Sequence, residues 1–263
     1  MPEVIPRSAF VITLSVWKAL LLREALGRLF GRRAAWFWLL LEPLFHVGYL
    51  MLIFTVVRVR HVGGIATALW IMIGLVAYFM FQRASRQSMN AVGANFPLFV
   101  YRQVLPVDSV LVRAGLEGVI MIVVCVLLFA GGGLFGLAVI PADPLLVLEA
   151  LFGMWLLGLG LGASASVAVE MVPEFGRLLS MLMRPLYILS GVIFPVASIP
   201  PPYRDWLLLN PMVHGIDAVR LGFAPYYHEV PGLSVSYLYL CALSLLLLGL
   251  SLQIAFAKRM VTQ

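Results

Sequence analysis

The chain has 263 residues, 62% of them hydrophobic and 11% charged, and a mean hydropathy of +1.02. Soluble folds carry charge on about a quarter of their residues because their surface must be wetted, so this composition excludes a water-soluble globule and requires an exterior that faces lipid. The net charge of +6 then reports orientation in a membrane rather than affinity for nucleic acid, and two cysteines, Cys125 and Cys241, are too few for a disulfide framework or a metal cluster.

Windows of about 20 apolar residues, enough to cross roughly 30 Å of hydrocarbon, fall at 34–57, 66–82, 114–139, 145–169, 178–197 and 234–257. They predict an all-α polytopic membrane protein of one domain, 1–263, with six transmembrane helices. Both termini then share a side, and that side collects fourteen of the eighteen lysines and arginines. The positive-inside rule makes it cytoplasmic. No short apolar core with a small-residue cleavage site opens the chain, so no cleaved signal peptide is expected.

Residues 8–31 are too charged to span. They carry two helically spaced apolar stripes, Phe10, Leu14, Trp17 and Leu21, then Leu22, Leu26, Leu29 and Phe30, and read as an amphipathic helix in the cytoplasmic interface, one stripe toward lipid and the other toward protein. Two roles fit: a plain anchor, or a basic, movable rim at an entrance, where Arg23, Arg28, Arg32 and Arg33 attract a headgroup or phosphate. The first span opens on Trp36, Phe37 and Trp38, rings suited to the interface. Deeper in it, Glu42 and His46 share a helical face beside Pro43. Ionisable groups at that depth turn toward a partner or a wet cavity, which leaves a structural pair or a place in a transport path. Glu117 and Glu149 are expected near helix ends, so a proton relay is not favoured.

The segment 90–112 differs from its surroundings. Pro97 suits the first turn of a short helix, Asn95 can cap it and Pro106 ends it, which gives either a linker or a rigid helix whose Phe99, Tyr101 and Arg102 dock another protein. Gly132 and Gly136, then Gly158, Gly162 and Ser166, form small-xxx-small faces for helix packing or a dimer seam. In the long external loop Pro200–Pro202 stop the preceding helix, and two short re-entrant helices are expected within 202–223, the second capped by Asn210 with Pro211 at its first position. Asp217 and Arg220 are three apart, a local pair worth a few tenths of a kcal/mol. Tyr226, Tyr227 and His228 suit an interfacial collar.

Known catalytic chemistry is missing. Lys18 and Lys258 follow no glycine-rich phosphate cradle, and the four histidines lack metal-ligand spacing, so no catalytic residue, metal or bound cofactor is expected in this chain.

The stretches LLREALGRLFGRRAAWFWLLLEPLFH, VYRQVLPVDSVLVRAGLEG and RPLYILSGVIFPVASIPPPYRDWLLLNPMVHGIDAVR resemble the membrane subunit of type-2 ATP-binding-cassette exporters. Gly191, Phe194-Pro195 and Asn210-Pro211 are widely shared in that class. Glu42-Pro43, the run Gln103 to Asp108 and Pro200–Pro202 are similar to the branch that exports capsule polysaccharide across the inner membrane of Gram-negative bacteria. The resemblance implies a homodimer, a separate cytoplasmic ATPase subunit that holds ATP and Mg, and a lipid-anchored acidic polysaccharide as cargo. It also implies a co-polymerase-type periplasmic partner and an outer-membrane export protein. It makes 95–108 a coupling helix, with Pro97, Phe99, Tyr101, Arg102 and Asp108 as docking residues, 8–31 a gate helix, and 202–223 an external lid. Trp36, Trp38, Glu42, Tyr49, Arg58, Arg60, Arg83 and Arg86 are the residues expected along the cargo's path. The same architecture would serve O-antigen, teichoic acid or a small lipophilic molecule. A lone secondary transporter would show inverted repeats, and a membrane glycan-processing enzyme would need converging external carboxylates; neither pattern is found.

Overall fold

The computed structural model describes residues 8–31, 33–57, 61–227 and 230–261. Among them the chain forms ten α-helices: α1 (Ala9–Phe30), α2 (Ala35–Val57), α3 (Thr67–Met89), α4 (Ala91–Asn95), α5 (Pro106–Leu134), α6 (Pro144–Met171), α7 (Glu174–Leu189), α8 (Tyr203–Leu207), α9 (Pro211–Phe223) and α10 (Val235–Val261). A two-stranded antiparallel hairpin, β1 (His61–Val62) with β2 (Ile65–Ala66), joins α2 to α3. Its turn needs two residues with positive φ, which Gly63 and Gly64 supply at +56° and +86°. The rings of Tyr227 and Tyr226 lie against these glycines, 2.7 Å from where a β-carbon would stand. His228, the third member of the expected collar, lies outside the described residues.

The middle of the bundle is α3, buried without a break from Leu69 to Phe81. It meets α6 at very close range, because a β-carbon on Gly158 would fall 2.3 Å from the Phe81 carbonyl oxygen and one on Gly162 2.6 Å from that of Ser85. The opposite side of α6 does the same with α10, where Gly160 abuts the Leu246 amide and Gly249 the Ser164 amide. Gln253 adds a buried hydrogen bond to Ser166 Oγ at 2.6 Å. These glycines pack helices within one subunit.

Among the described residues five helices, α2, α3, α5, α6 and α10, are long and apolar enough to cross a membrane, so the all-α polytopic reading holds. The expected fifth span, 178–197, takes another form. Its helix, α7, has 16 residues, a reach of about 24 Å against roughly 30 Å of hydrocarbon. The chain then turns at Gly191, with φ of +71°, before a 3-10 turn at Val196–Ser198. Helix α5 starts at Pro106 and ends at Leu134, ahead of the expected 114–139, and Gly136 lies in the turn beyond it.

The carbonyls freed by that turn are met by Arg220, which is fully buried on α9. It donates to the Gly191 and Val192 carbonyl oxygens, each at 2.9 Å, and to Asp217 Oδ1 at 2.9 Å. Its guanidinium carbon lies 3.7 Å from the ring centre of Trp70 on α3. The expected weak local pair is therefore a buried ion pair, because non-helical backbone inside apolar surroundings must find internal donors. Asn210 caps α9 as expected, accepting from the Met212 amide at 3.1 Å. The residues of α9 are mostly buried against the protein's own helices.

Candidate functional site

Helix α1 is capped by Ser8, whose Oγ accepts from the Val11 amide. Most of both expected stripes is exposed, although Trp17 of the first reaches Asp108 through its indole N–H. The buried stripe is Val16, Leu20 and Glu24, and an acid on it is tolerated only because it is paired. Glu24 Oε1 accepts from Arg113 Nε and Asn95 Nδ2, both at 2.9 Å, so Asn95 serves Glu24 instead of capping the segment after it. Arg28 reaches Glu117 Oε2 at 2.9 Å and Gln87 Oε1 at 2.8 Å, while Arg83 of α3 donates to the other oxygen of Glu117. Glu117 lies well inside α5 and is fully buried, not near a helix end. Three arginines and two glutamates thus join α1, α3, α4 and α5.

Burial alone raises the Glu24 carboxyl, but the hydrogen bond and charge of Arg113, the Asn95 amide and the charge of Arg28 outweigh it and hold the group below the ordinary carboxylate range. A depressed acid adds stability that is fully present above its unfolded pKa and is lost as pH falls through the folded value. Amide exchange along α1 is therefore expected to stay slow from neutral pH down to the ordinary carboxylate range and to quicken only below it. Fast exchange already at neutral pH would contradict the pairing.

Between α2, α3 and α7 lies a cavity of about 470 Å³ lined by Glu42, His46, Gln82, Arg83, Arg86, Gln87, Arg184 and Tyr187, with Phe79 and Tyr78 behind. A second hollow of about 200 Å³ shares Gln82, Arg86 and Arg184 with it. Arg83 is neutralised by Glu117, but neither Arg86 nor Arg184 has a carboxylate partner among the described residues. Tyr187 stands edge-on to Tyr78 at 5.0 Å, and its hydroxyl has no hydrogen-bond partner among the described residues. His46 packs edge-on against Phe79 at 5.3 Å instead of bonding Glu42. The cavity therefore offers two uncommitted guanidinium groups, amides, a hydroxyl and a carboxylate beside aromatic rings, the functional groups that hold an anionic, hydroxyl-rich ligand.

The segment 95–108 is not one helix. It runs as a 3-10 turn, Phe96–Val100, then a turn into α5, whose first residue is Pro106. The tight winding buries Phe99 and turns Val100 out, 87% exposed. Asp108 is also buried, accepting from the Leu105 amide at 2.9 Å and from Trp17 Nε1 at 2.7 Å. Pro97, Tyr101 and Arg102 are exposed. Beside them an apolar groove of about 520 Å³ runs between α1 and this segment, lined by Val16, Leu20, Arg23, Leu98, Tyr101 and Val104.

Of the residues expected along a path, Glu42, Arg83 and Arg86 share the cavity. Trp36 and Trp38 are exposed at the start of α2, and Tyr49 is exposed on it, its ring 6.4 Å from Phe45. Arg32, Arg58 and Arg60 lie outside the described residues. Of the basic rim, Arg33 is exposed, Arg23 lines the groove and Arg28 is committed to Glu117 and Gln87. The reading of the sequence missed Arg184, Tyr187, Gln82 and Gln87 in the cavity and Val100 on the exposed rim. Arg184 had a signal, since an arginine inside an expected span marks a functional position.

Comparison with known proteins agrees with this architecture. The profile of a family described as "ABC-2 type transporter" matches residues 15–224. The chain is 33% identical over 256 residues to the polysialic acid transport protein KpsM of Escherichia coli, covering 97% of this chain and 99% of that one. It is 30% identical over 261 residues to the capsule polysaccharide export inner-membrane protein CtrC of Neisseria meningitidis, covering 96% of each. To BexB of Haemophilus influenzae, a capsule polysaccharide export inner-membrane protein, it is 28% identical over 245 residues, covering 92% and 91%.

Proposed function

The chain belongs to the ABC-2 type transporter family, and we propose that it is the permease subunit of an exporter moving lipid-anchored acidic polysaccharide across a bacterial inner membrane. Similarity over nearly their full length to relatives named for polysialic acid transport and capsule polysaccharide export supports the cargo class. The observation that carries the reading within this structure is the cavity between α2, α3 and α7, where Arg86 and Arg184 stand, without acidic partners among the described residues, beside amides and aromatic rings. Guanidinium groups hold carboxylate or phosphate, amides and Glu42 meet sugar hydroxyls, and ring faces let a sugar slide without a fixed register.

Energy comes from elsewhere. A separate ATPase subunit binds ATP and Mg and docks on the exposed rim formed by Pro97, Val100, Tyr101 and Arg102, with the groove along α1 next to it. Two copies of the permease, termini in the cytoplasm, enclose the channel, and closure of the ATPase pair drives the docking segments and opens it. Helix α7 with the chain to 197 provides the sixth crossing, its turn held by Arg220. Periplasmic and outer-membrane export proteins then receive the glycan.

The docking face gives the test. Glutamates at both Val100 and Tyr101 place two charges on an apolar contact and are expected to abolish co-purification with the ATPase, while the permease stays folded because both side chains are exposed. Loss of each buried anchor costs about 2 kcal/mol or more. An ATPase that still co-purifies and turns over normally would remove this rim from the interface.

A further inference from the structure

Helix α1 is fastened to the docking segment at two levels. Trp17 bonds Asp108, the residue that caps α5, and further along Glu24 takes Asn95 and Arg113, the latter also donating to the Asn90 carbonyl at 2.9 Å. So α1, residues 90–108 and the start of α5 form one unit. Two polar links tie it to the cavity wall: Arg28 of α1 donates to Gln87 at 2.8 Å, a neutral contact, and Glu117, 1% exposed, accepts Arg28 on one oxygen and Arg83 of α3 on the other, the charged and more deeply buried one. Arg83 lines the cavity and Arg28 does not. A buried carboxylate held by two guanidinium groups cannot release one without stranding charge in a low dielectric, so a shift of the unit pulls Arg83 with it.

We propose that Glu117 is a positioning residue for transport, relaying the displacement of the docking segment and α1 to the cavity wall at Arg83. The inference rests on reading the rim as the ATPase contact and the cavity as the cargo's path. It adds that α1 travels with the docking segment instead of swinging independently as a gate.

The test uses the permease co-expressed with its ATPase, carrying Gln82→Cys in a Cys125→Ala, Cys241→Ala background. Gln82 lines the cavity beside Arg83. Its alkylation rate by a maleimide is compared between nucleotide-free and ADP-vanadate states. With the relay intact a change of about tenfold is expected, in the range of ordinary coupling between sites. Glu117→Gln is expected to erase the change while ATP turnover and co-purification persist. Arg83→Gln, which leaves Glu117 paired to Arg28, does the same if Glu117→Gln fails to assemble, and Arg83→Lys restores most of the response, which a purely structural role would not predict. A full-size change in both Glu117→Gln and Arg83→Gln overturns the relay alone. No change even with Glu117 and Arg83 present, in a complex that hydrolyses ATP, discards the relay together with the cavity's role.

Discussion

Replacing Arg220 with alanine is expected to destabilise the folded chain by about 3–5 kcal/mol, the usual effect of breaking a buried ion pair from one side. Three losses combine. Asp217 is left charged and buried, the carbonyls of Gly191 and Val192 lose their donor, and the face of Trp70 loses its cation. The second loss matters most in a membrane, because an unpaired carbonyl has no water to turn to. Arg220→Lys should recover only part, since one ammonium cannot reproduce a planar fork that serves two carbonyls and a carboxylate. Asp217→Asn combined with Arg220→Met should also recover part, as it removes the stranded charge but not the stranded carbonyls. The measurement is the thermal midpoint of the purified protein in detergent, read as loss of monodisperse material. An Arg220→Ala protein as stable as its parent would mean that the turn after α7 satisfies itself.

Reversing both cavity charges, Arg86→Glu with Arg184→Glu, is expected to stop export while leaving the permease assembled and its ATPase active. A hydrogen bond to a charged group is worth about 1.5–3 kcal/mol, so each lost arginine lowers cargo occupancy by about tenfold or more, and the new carboxylates repel an acidic glycan. Both side chains are exposed in the cavity and hold no partner within the described chain, so reversal disturbs little of the fold. Surface polysaccharide on cells lacking their own permease and complemented with the variant is the readout. Normal surface glycan would take the cavity out of the path.

Much of the fold was legible in composition and spacing, because a helix that faces lipid announces itself by an unbroken apolar run. Helices α2, α3, α6 and α10 fall close to their expected windows. Helix α7 was less legible. Its apolar run continues past Leu189, but Gly191 and Pro195 let the backbone leave the helix, and what makes that departure tolerable is an arginine 29 residues further on. Asp217 and Arg220, three apart, look like any surface pair until that distant turn claims the guanidinium. The segment 95–108, expected as one helix, was less legible for another reason: a 3-10 turn shifts the period, so Phe99 goes in and Val100 comes out. At the candidate site, Arg83 and Arg86 were expected together along the cargo's path. Only the fold shows that one is paired with Glu117, 34 residues further on in another helix, and the other is not.

The two-sided seam of α6 has a mechanical consequence. With bare backbone pressed against α3 on one flank and α10 on the other, the three rods make a keel in which any sliding would drive main chain into main chain. The conduit proposed above cannot then be opened by parting that keel. It has to be opened by the loosely held planks beside it, α2 and α7, and those are the ones that border the cavity.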